Sequence, residues 1–303
     1  REALSHILYG IERREGFGLI VGDIGTGKTT LCWALLDRLE KKNVRTALIQ
    51  NPMLPETDIL RSILQDLGAR DDDVRPRQPD GESEALEVFD GAWLEGLTKK
   101  QLLDRLNRFL AARAREDVFT VLIIDEAQNL SIELLEQLRL LSNLETAKKK
   151  LLQIIFVGQL ELEQKLRSPS MRQLNQRISV RFRTGPLSKG DTERYIRHRL
   201  AKAGGGARLR FRSGAFRSIW RRSGGCPRRI NLLCDRALLA AYSERTFLVT
   251  SKHVRRAARG LDGDGYSGTR VSSVWSSRAV PYIVPAALLL FILCFLAYKG
   301  LAH

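Results

Sequence analysis

Metal-ligand and disulfide patterns are missing from this 303-residue chain. Its four cysteines, Cys32, Cys226, Cys234 and Cys294, are scattered, and two of them sit inside apolar helical patterns. No pair has the spacing of a zinc site or a redox motif, and so few cannot staple a fold, which suits a reducing compartment. Acidic residues are scarce late in the chain. Residues 165–260 hold 25 Lys and Arg against 4 Asp and Glu, within a formal charge of +16 for the whole sequence. Such an excess can meet nucleic acid, anionic lipid or an acidic partner, and it can equally decorate solvated helices. No signal peptide stands at the start. The chain opens on Arg1 rather than on methionine, so an N-terminal truncation that could hide one is expected.

What is present is a loop around which the rest is organised. Residues 22–29, G-D-I-G-T-G-K-T, fit G-x-x-x-x-G-K-[ST] at every position. Three glycines, Gly22, Gly25 and Gly27, allow the amides of Asp23, Ile24 and Thr26 to turn around a phosphate with no Cβ in the way. A helix starting near Lys28 aims its positive dipole end at the same anion. Lys28 supplies a mobile charge for the β- and γ-phosphates, the Thr29 hydroxyl is placed to ligate Mg2+, and Thr30 completes the site. The flanks agree: F-G-L-I-V (17–21) reads as a buried strand and L-C-W-A-L-L (31–36) as a helix.

A second strand is expected at 44–50, and a helix after the N-P-M-L-P break ends at Gly68. Residues 70–84 are polar, rich in Pro and Asp and without period, and read as a surface insertion. An amphipathic helix begins at Thr98. It leads into V-F-T-V-L-I-I followed by Asp125 and Glu126, an apolar run ending in two carboxylates, the Walker B pattern. A buried parallel strand would deliver both acids to the carboxyl edge of a sheet, Asp125 for Mg2+ and Glu126 as general base toward water. A helix capped by Ser131 follows, then a fourth strand (151–159) ending in Gln159, where a residue sensing the γ-phosphate is expected. The arginine-crowded segment 172–183 leads into a short fifth strand. After G-P-L at Gly185 helical patterns take over, giving an all-helical domain over 185–260, and 261–278 reads as a Gly/Ser-rich linker.

Residues 279–298 carry no charge over 20 positions, matching the roughly 20 residues that cross ~30 Å of hydrocarbon. Trp275, Tyr282 and Tyr298 are candidate interface anchors. Arg255, Arg256, Arg259, Arg270 and Arg278 precede the stretch and Lys299 follows it, so the positive-inside rule keeps the bulk of the chain cytoplasmic.

Taken together these motifs resemble the ATPases of the general secretion pathway A type (ExeA/GspA-like), within the AAA+ superfamily. The likeness runs over residues 1–260 and is carried by R-E-A-L-x-H-x-L-Y-G-I, V-G-D-I-G-T-G-K-T-T-L, L-I-I-D-E-A-Q-N-L-S, K-L-L-Q-I-I-F-V-G-Q and G-C-P-R-R-I-N-L-L-C-D-R-A-L. It implies an α/β AAA+ P-loop core with a parallel sheet over 1–184 and a helical lid over 185–260, to which the uncharged stretch 279–298 adds a single transmembrane helix. It also implies ATP and Mg2+, and a ring or cluster of like subunits in which a neighbour's arginine completes each site. Arg177 in Q-R-I looks like that finger, with Arg172 and Arg181 as alternatives. Arg228 in G-x-P-R-x-I-N looks like the lid arginine that reads the γ-phosphate. Leu160 stands where the family usually has proline, and the insertion after Gly68 is longer than usual.

The leading expectation is therefore an ATPase in the bacterial inner membrane, driving assembly of a type II secretion or pilus-like apparatus with a B-type partner, and wall binding through a region this chain lacks. The alternatives are a DNA-handling ATPase of the transposition-helper or replication-initiator type, which the apolar stretch argues against, and a slow nucleotide-dependent switch or scaffold.

Overall fold

A computed structural model describes residues 2–50, 52–69, 94–142, 150–204 and 208–263. Its elements are α1 (Glu2–Glu12), β1 (Phe17–Gly22), α2 (Lys28–Leu39), β2 (Val44–Ile49), α3 (Glu56–Asp66), α4 (Lys99–Arg115), β3 (Phe119–Ile124), α5 (Ile132–Leu141), β4 (Leu152–Gly158), α6 (Leu160–Leu166), α7 (Arg172–Gln176), β5 (Ile178–Thr184), α8 (Lys189–Lys202), β6 (Arg210–Phe211), α9 (Ser213–Ser223), α10 (Pro227–Ser243), β7 (Leu248–Val249) and α11 (Ser251–Gly263). Contacts group Arg1–Arg255 into one compact unit and Arg256–His303 into a second. Of the second unit, the described residues are the end of α11.

Five parallel strands form a sheet in the order β2-β3-β4-β1-β5. The apolar runs read from the sequence become strands because helices cover both faces, so both sets of alternating side chains must be apolar. Leu19, Val21, Leu122, Ile124, Ile154 and Phe156 face one core, packed against α3, α4, α5 and α6. Ile20, Val121, Ile123, Ile155 and Val157 face the other, against Ile7 and Ile11 of α1 and Cys32, Leu35 and Leu39 of α2. Phe17 and Phe156 stack across neighbouring strands with centroids 5.7 Å apart. Full burial of one such side chain stabilises the fold by roughly 1.5–3 kcal/mol. Strand β5, at the sheet edge, buries only Ile178 fully and exposes Ser179, Arg181 and Arg183, a charged edge that discourages a further strand.

Local signals set the helix starts. Thr98 and Gln101 form a reciprocal capping box at α4, the Thr98 amide donating to Gln101 Oε1 at 2.8 Å. Ser131 Oγ accepts from the Leu134 amide at α5, and Ser188 Oγ from the Asp191 amide at α8, both at 3.1 Å. Gly68, at φ 68°, ends the third helix as the sequence suggests.

The segment after β5 is not purely helical. Arg210 and Phe211 pair in parallel with Leu248 and Val249, and Phe211 stacks on Phe216 of α9 at 5.6 Å. Two-residue strands leave no periodicity in a sequence, which is why an all-helical segment was expected. The start of the expected linker also differs, since 261–263 continue α11. The insertion at 70–84, the remainder of the linker and the apolar stretch 279–298 lie outside the described residues, among which no helix is long and apolar enough to cross a membrane.

Candidate nucleotide site

The carboxyl ends of β1, β3 and β4 meet two helices of the following segment around a cleft of about 310 Å³. Its floor is the glycine loop. Gly22 ends β1 so close to β5 that a Cβ would lie 1.9 Å from Thr184 Oγ1 and 2.6 Å from the Thr184 carbonyl. Thr184 Oγ1 lies 2.8 Å from Thr26 Oγ1, which itself donates to the Asp23 carbonyl at 2.7 Å. Gly27, at φ 94°, turns the chain into α2, a left-handed conformation that a Cβ disfavours. Lys28 is 6 % exposed. Its Nζ donates to the carbonyls of Gly22 and Asp23 at 3.0 and 3.1 Å, and among the described residues no carboxylate ion-pairs with it.

Thr29 Oγ1 donates to Asp125 Oδ2 at 2.7 Å. Asp125 is 4 % exposed, and its amide donates to the Ile49 carbonyl at 2.8 Å, fixing it at the tip of β3. Asp125 Oδ1 accepts from the Glu126 amide at 2.9 Å. Glu126 has φ 53°, a left-handed conformation rare for a residue with a side chain; such strain clusters at functional sites. Glu126 Oε2 accepts from Gln128 Nε2 at 2.5 Å and from Gln159 Nε2 at 3.4 Å. Gln128 Oε1 in turn accepts from the Gln159 amide at 3.0 Å. Gly158 leaves room for this, since a Cβ there would meet Gln128 Oε1 at 2.8 Å. Lys165 Nζ ties the Gln128 carbonyl from α6 at 2.7 Å.

The far wall comes from α8 and α10. Pro227 stands in the first turn of α10, where its missing N–H is no loss. That helix start lies on the glycine loop: the Arg228 amide donates to the Gly25 carbonyl at 3.3 Å, and Cys226 Sγ lies 3.6 Å from the same oxygen. A Cβ on Gly25 would meet Arg228 Cβ at 2.7 Å. Arg228 lines the cleft beside Tyr195, Arg199 and Asn231, with Tyr195 Oη donating to Asn231 Oδ1 at 3.0 Å.

The predicted residues thus divide. Ile24, Gly25, Gly27, Lys28, Thr29, Thr30, Glu126, Gln159 and Arg228 line one cleft. Gly22, Asp23, Thr26 and Asp125 support it from behind. Arg177, Arg172 and Arg181 do not line it. All three are exposed near the start of β5, and Arg181 donates to the Asn175 carbonyl and to its side-chain oxygen, both at 2.7 Å. Gln128, Thr184, Tyr195, Arg199 and Asn231 were not foreseen. Gln128 stands in the D-E-A-Q run and Asn231 closes the G-x-P-R-x-I-N run; Thr184, Tyr195 and Arg199 carry no local signal, since tertiary packing brings them in.

The electrostatics suit a polyphosphate with a hard cation. A buried ammonium bonded to main-chain carbonyls, the start of α2 and Arg228 supply positive charge. A hydroxyl hydrogen-bonded to a buried carboxylate is an all-oxygen donor pair of the kind Mg2+ takes. Among the described residues no group of three or more His, Cys, Asp and Glu could form a denser metal site. Behind the cleft, burial and then the Asp125 charge push the Cys32 thiol up to about 12.

An AAA domain family model matches residues 11–166. Over 287 residues the chain is 39% identical to general secretion pathway protein A of Aeromonas hydrophila, covering 95% of this chain and 47% of that protein. It therefore spans about half the length of that curated relative. Among solved structures, the Aeropyrum pernix ORC2 protein in ADPNP–ADP complexes superposes with a TM-score of 0.60 at 17% identity, over 85% of this chain and 66% of that one. Cdc6p from Pyrobaculum aerophilum gives 0.58 at 19%, over 86% and 66%. The RuvB Holliday junction branch migration motor of Thermotoga maritima gives 0.52 at 15%, over 86% and 67%. Likeness at these identities is likeness of fold.

Proposed function

The chain belongs to the AAA domain family and to the relatives of general secretion pathway protein A, and from that premise we propose that it is a membrane-anchored ATP hydrolase driving assembly of a type II secretion or pilus-like envelope apparatus. One observation carries the catalytic part: the pair Thr29–Asp125, the carboxylate of Glu126 and the lid cation Arg228 converge on one loop-floored cleft. Lys28 and the loop amides would hold the β- and γ-phosphates, and Thr29 with Asp125 would hold Mg2+, which when bound neutralises charge on the phosphates. Glu126 is the general base: its carboxylate, aimed by Gln128 and Gln159, takes a proton from the attacking water. Gln159 would report the γ-phosphate, and Arg228 would screen charge developing on the transferred group.

Arg177 stands outside its own cleft and exposed, as an arginine serving a neighbouring subunit must, and a finger of this kind can be worth about 10³–10⁵ in rate. The working form in this reading is a homo-oligomeric ring or cluster, with the core over 1–184 and the lid over 185–260. Residues 279–298 form the inner-membrane span, the ATPase faces the cytoplasm, and a B-type inner-membrane protein is the partner. The similarity to general secretion pathway protein A along nearly the whole chain supports this over DNA handling, which rests on fold likeness at 15–19% identity.

The test is ATP hydrolysis by the full chain in mild detergent, wild type beside Glu126→Gln, over a series of protein concentrations. Activity per subunit should rise with concentration and collapse in the variant. A flat rate that ignores Glu126 would sink the motor reading and leave a nucleotide-bound scaffold.

A further inference from the structure

Away from the nucleotide cleft, a second cavity of about 420 Å³ opens between α9 and the start of α11. Four arginines line it: Arg217, Arg221 and Arg222 from α9, and Arg255 from α11, together with Ser218 and Ser251. Arg217 and Arg221 are four apart and share a helix face; Arg255 joins them through tertiary packing. No carboxylate and no aromatic ring lines the cavity among the described residues. Among the described residues none of the four guanidiniums is ion-paired. Neighbouring cations of the same segment are treated differently: Arg194 pairs with Asp191 at 2.5 Å, Arg197 with Glu193 at 2.7 Å and Lys252 with Glu244 at 3.7 Å. Gathering four like charges around one space is repulsive unless an anion enters. Guanidinium forks fit the oxygens of phosphate, and the volume is that of a small-ligand pocket, about 300–1,000 Å³.

We infer that this cavity is a phosphate-recognition site whose ligand is the headgroup of an anionic phospholipid. Two observations choose that source. Single-stranded nucleic acid is held by basic grooves interleaved with aromatic platforms, whereas this is one closed cluster without a ring. The uncharged stretch 279–298 begins 24 residues after Arg255, and the covalent chain from Gly263 to Ala279 reaches at most about 58 Å. If that stretch spans a bilayer, as proposed above, the chain tethers the cavity within reach of headgroups. In this role the site orients the ATPase against the cytoplasmic leaflet, with the anchor giving proximity and the arginines giving lipid preference.

Arginine-selective modification by phenylglyoxal, read peptide by peptide by mass spectrometry, tests this on the full chain. The protein is reconstituted in phosphatidylcholine vesicles with and without phosphatidylglycerol, nucleotide being absent. Phosphatidylglycerol should slow modification of Arg217, Arg221, Arg222 and Arg255 by about fivefold each, the scale for one basic residue at an anionic surface. The exposed Arg208 and Arg245 should be unchanged. Substituting Arg217→Gln and Arg221→Gln together should abolish the protection at Arg222 and Arg255, and Lys28→Ala should leave it intact.

Equal slowing at all six arginines, or none at any, would overturn the site. Protection by inorganic phosphate in phosphatidylcholine vesicles without any from phosphatidylglycerol would assign the cavity to a free phosphate compound. Protection by duplex DNA alone would assign it to nucleic acid. Extraction of the chain from neutral vesicles by alkaline carbonate would defeat the membrane-span reading by itself. In that case soluble short-chain phosphatidylglycerol, against short-chain phosphatidylcholine, asks the same question of the four arginines.

Discussion

Replacing Gln128 by alanine removes two hydrogen bonds at once, the donation to Glu126 Oε2 at 2.5 Å and the acceptance from the Gln159 amide at 3.0 Å. The first is charge-assisted, and such bonds contribute about 1.5–3 kcal/mol net. Among the described residues Glu126 then keeps the 3.4 Å donation from Gln159 as its side-chain partner, a residue whose own backbone has just lost its acceptor, so the carboxylate is set loose at the strained tip of β3. If that energy holds Glu126 toward water in the transition state, hydrolysis slows by about 10–150-fold. Nucleotide binding should hardly change, because Gln128 touches neither the glycine loop nor Thr29. The folded state loses about 1–2 kcal/mol, since the site is half-buried, lowering Tm by a few degrees. Single-turnover hydrolysis beside the Kd of a fluorescent ATP analogue separates these effects. Unchanged turnover in Gln128→Ala, with the expected fall in Tm, would refute the positioning argument and leave Gln128 as a structural brace.

Further predictions concern the loop, the thiols and the subunit contact. Gly22→Ala places a Cβ against the Thr184 hydroxyl, which can rotate away, and 2.6 Å from the Thr184 carbonyl, which cannot; a loss of about 1–3 kcal/mol is expected in urea denaturation. Burial comes first among the causes that lift Cys32 and Cys234 from 9.0 to about 12. An unfolded thiol ionises before a folded one, so this stability is complete below pH 9 and falls as pH rises toward 12, by up to about 1.4 kcal/mol per pH unit for each thiol. Denaturation midpoints between pH 8 and 11 should therefore fall less steeply in Cys32→Ala than in wild type, and parallel slopes would refute the assignment. Arg177→Ala should reduce hydrolysis at saturating ATP without weakening nucleotide binding, and mixing it with Glu126→Gln should restore part of the activity. Inactive mixtures would direct the search to Arg172 or Arg181.

The sheet was legible because a strand buried on both faces must be apolar throughout. Three such runs, β1, β3 and β4, leave little else to build, and the carboxylates after β3 mark which end of the sheet carries polar chemistry. The glycine loop was legible for a different reason, since backbone cradling restricts side chains so severely that the restriction is visible as letters. Gln128 was in plain view within D-E-A-Q, but nothing in the letters says that its amide spans from Glu126 to the end of β4. Tyr195 and Asn231 lie 36 positions apart and meet only because α8 packs on α10. The β6–β7 pair is legible in neither way. Two residues make no period, and Phe211 and Val249 look like any helix-flanking apolar residues until their ladder is seen.

The contact between the start of α10 and the glycine loop has a thermodynamic consequence. Because the Arg228 amide bonds the Gly25 carbonyl, the loop conformation and the docking of that helix share one free-energy surface. Reciprocity then applies. Whatever factor a docked helix adds to nucleotide affinity, bound nucleotide must add to docking, and in the ATPase proposed above hydrolysis, by changing the ligand, would reset that equilibrium. Weakening this contact while leaving every phosphate-binding group in place would separate turnover from movement: a protein that still consumes ATP but no longer does anything with it.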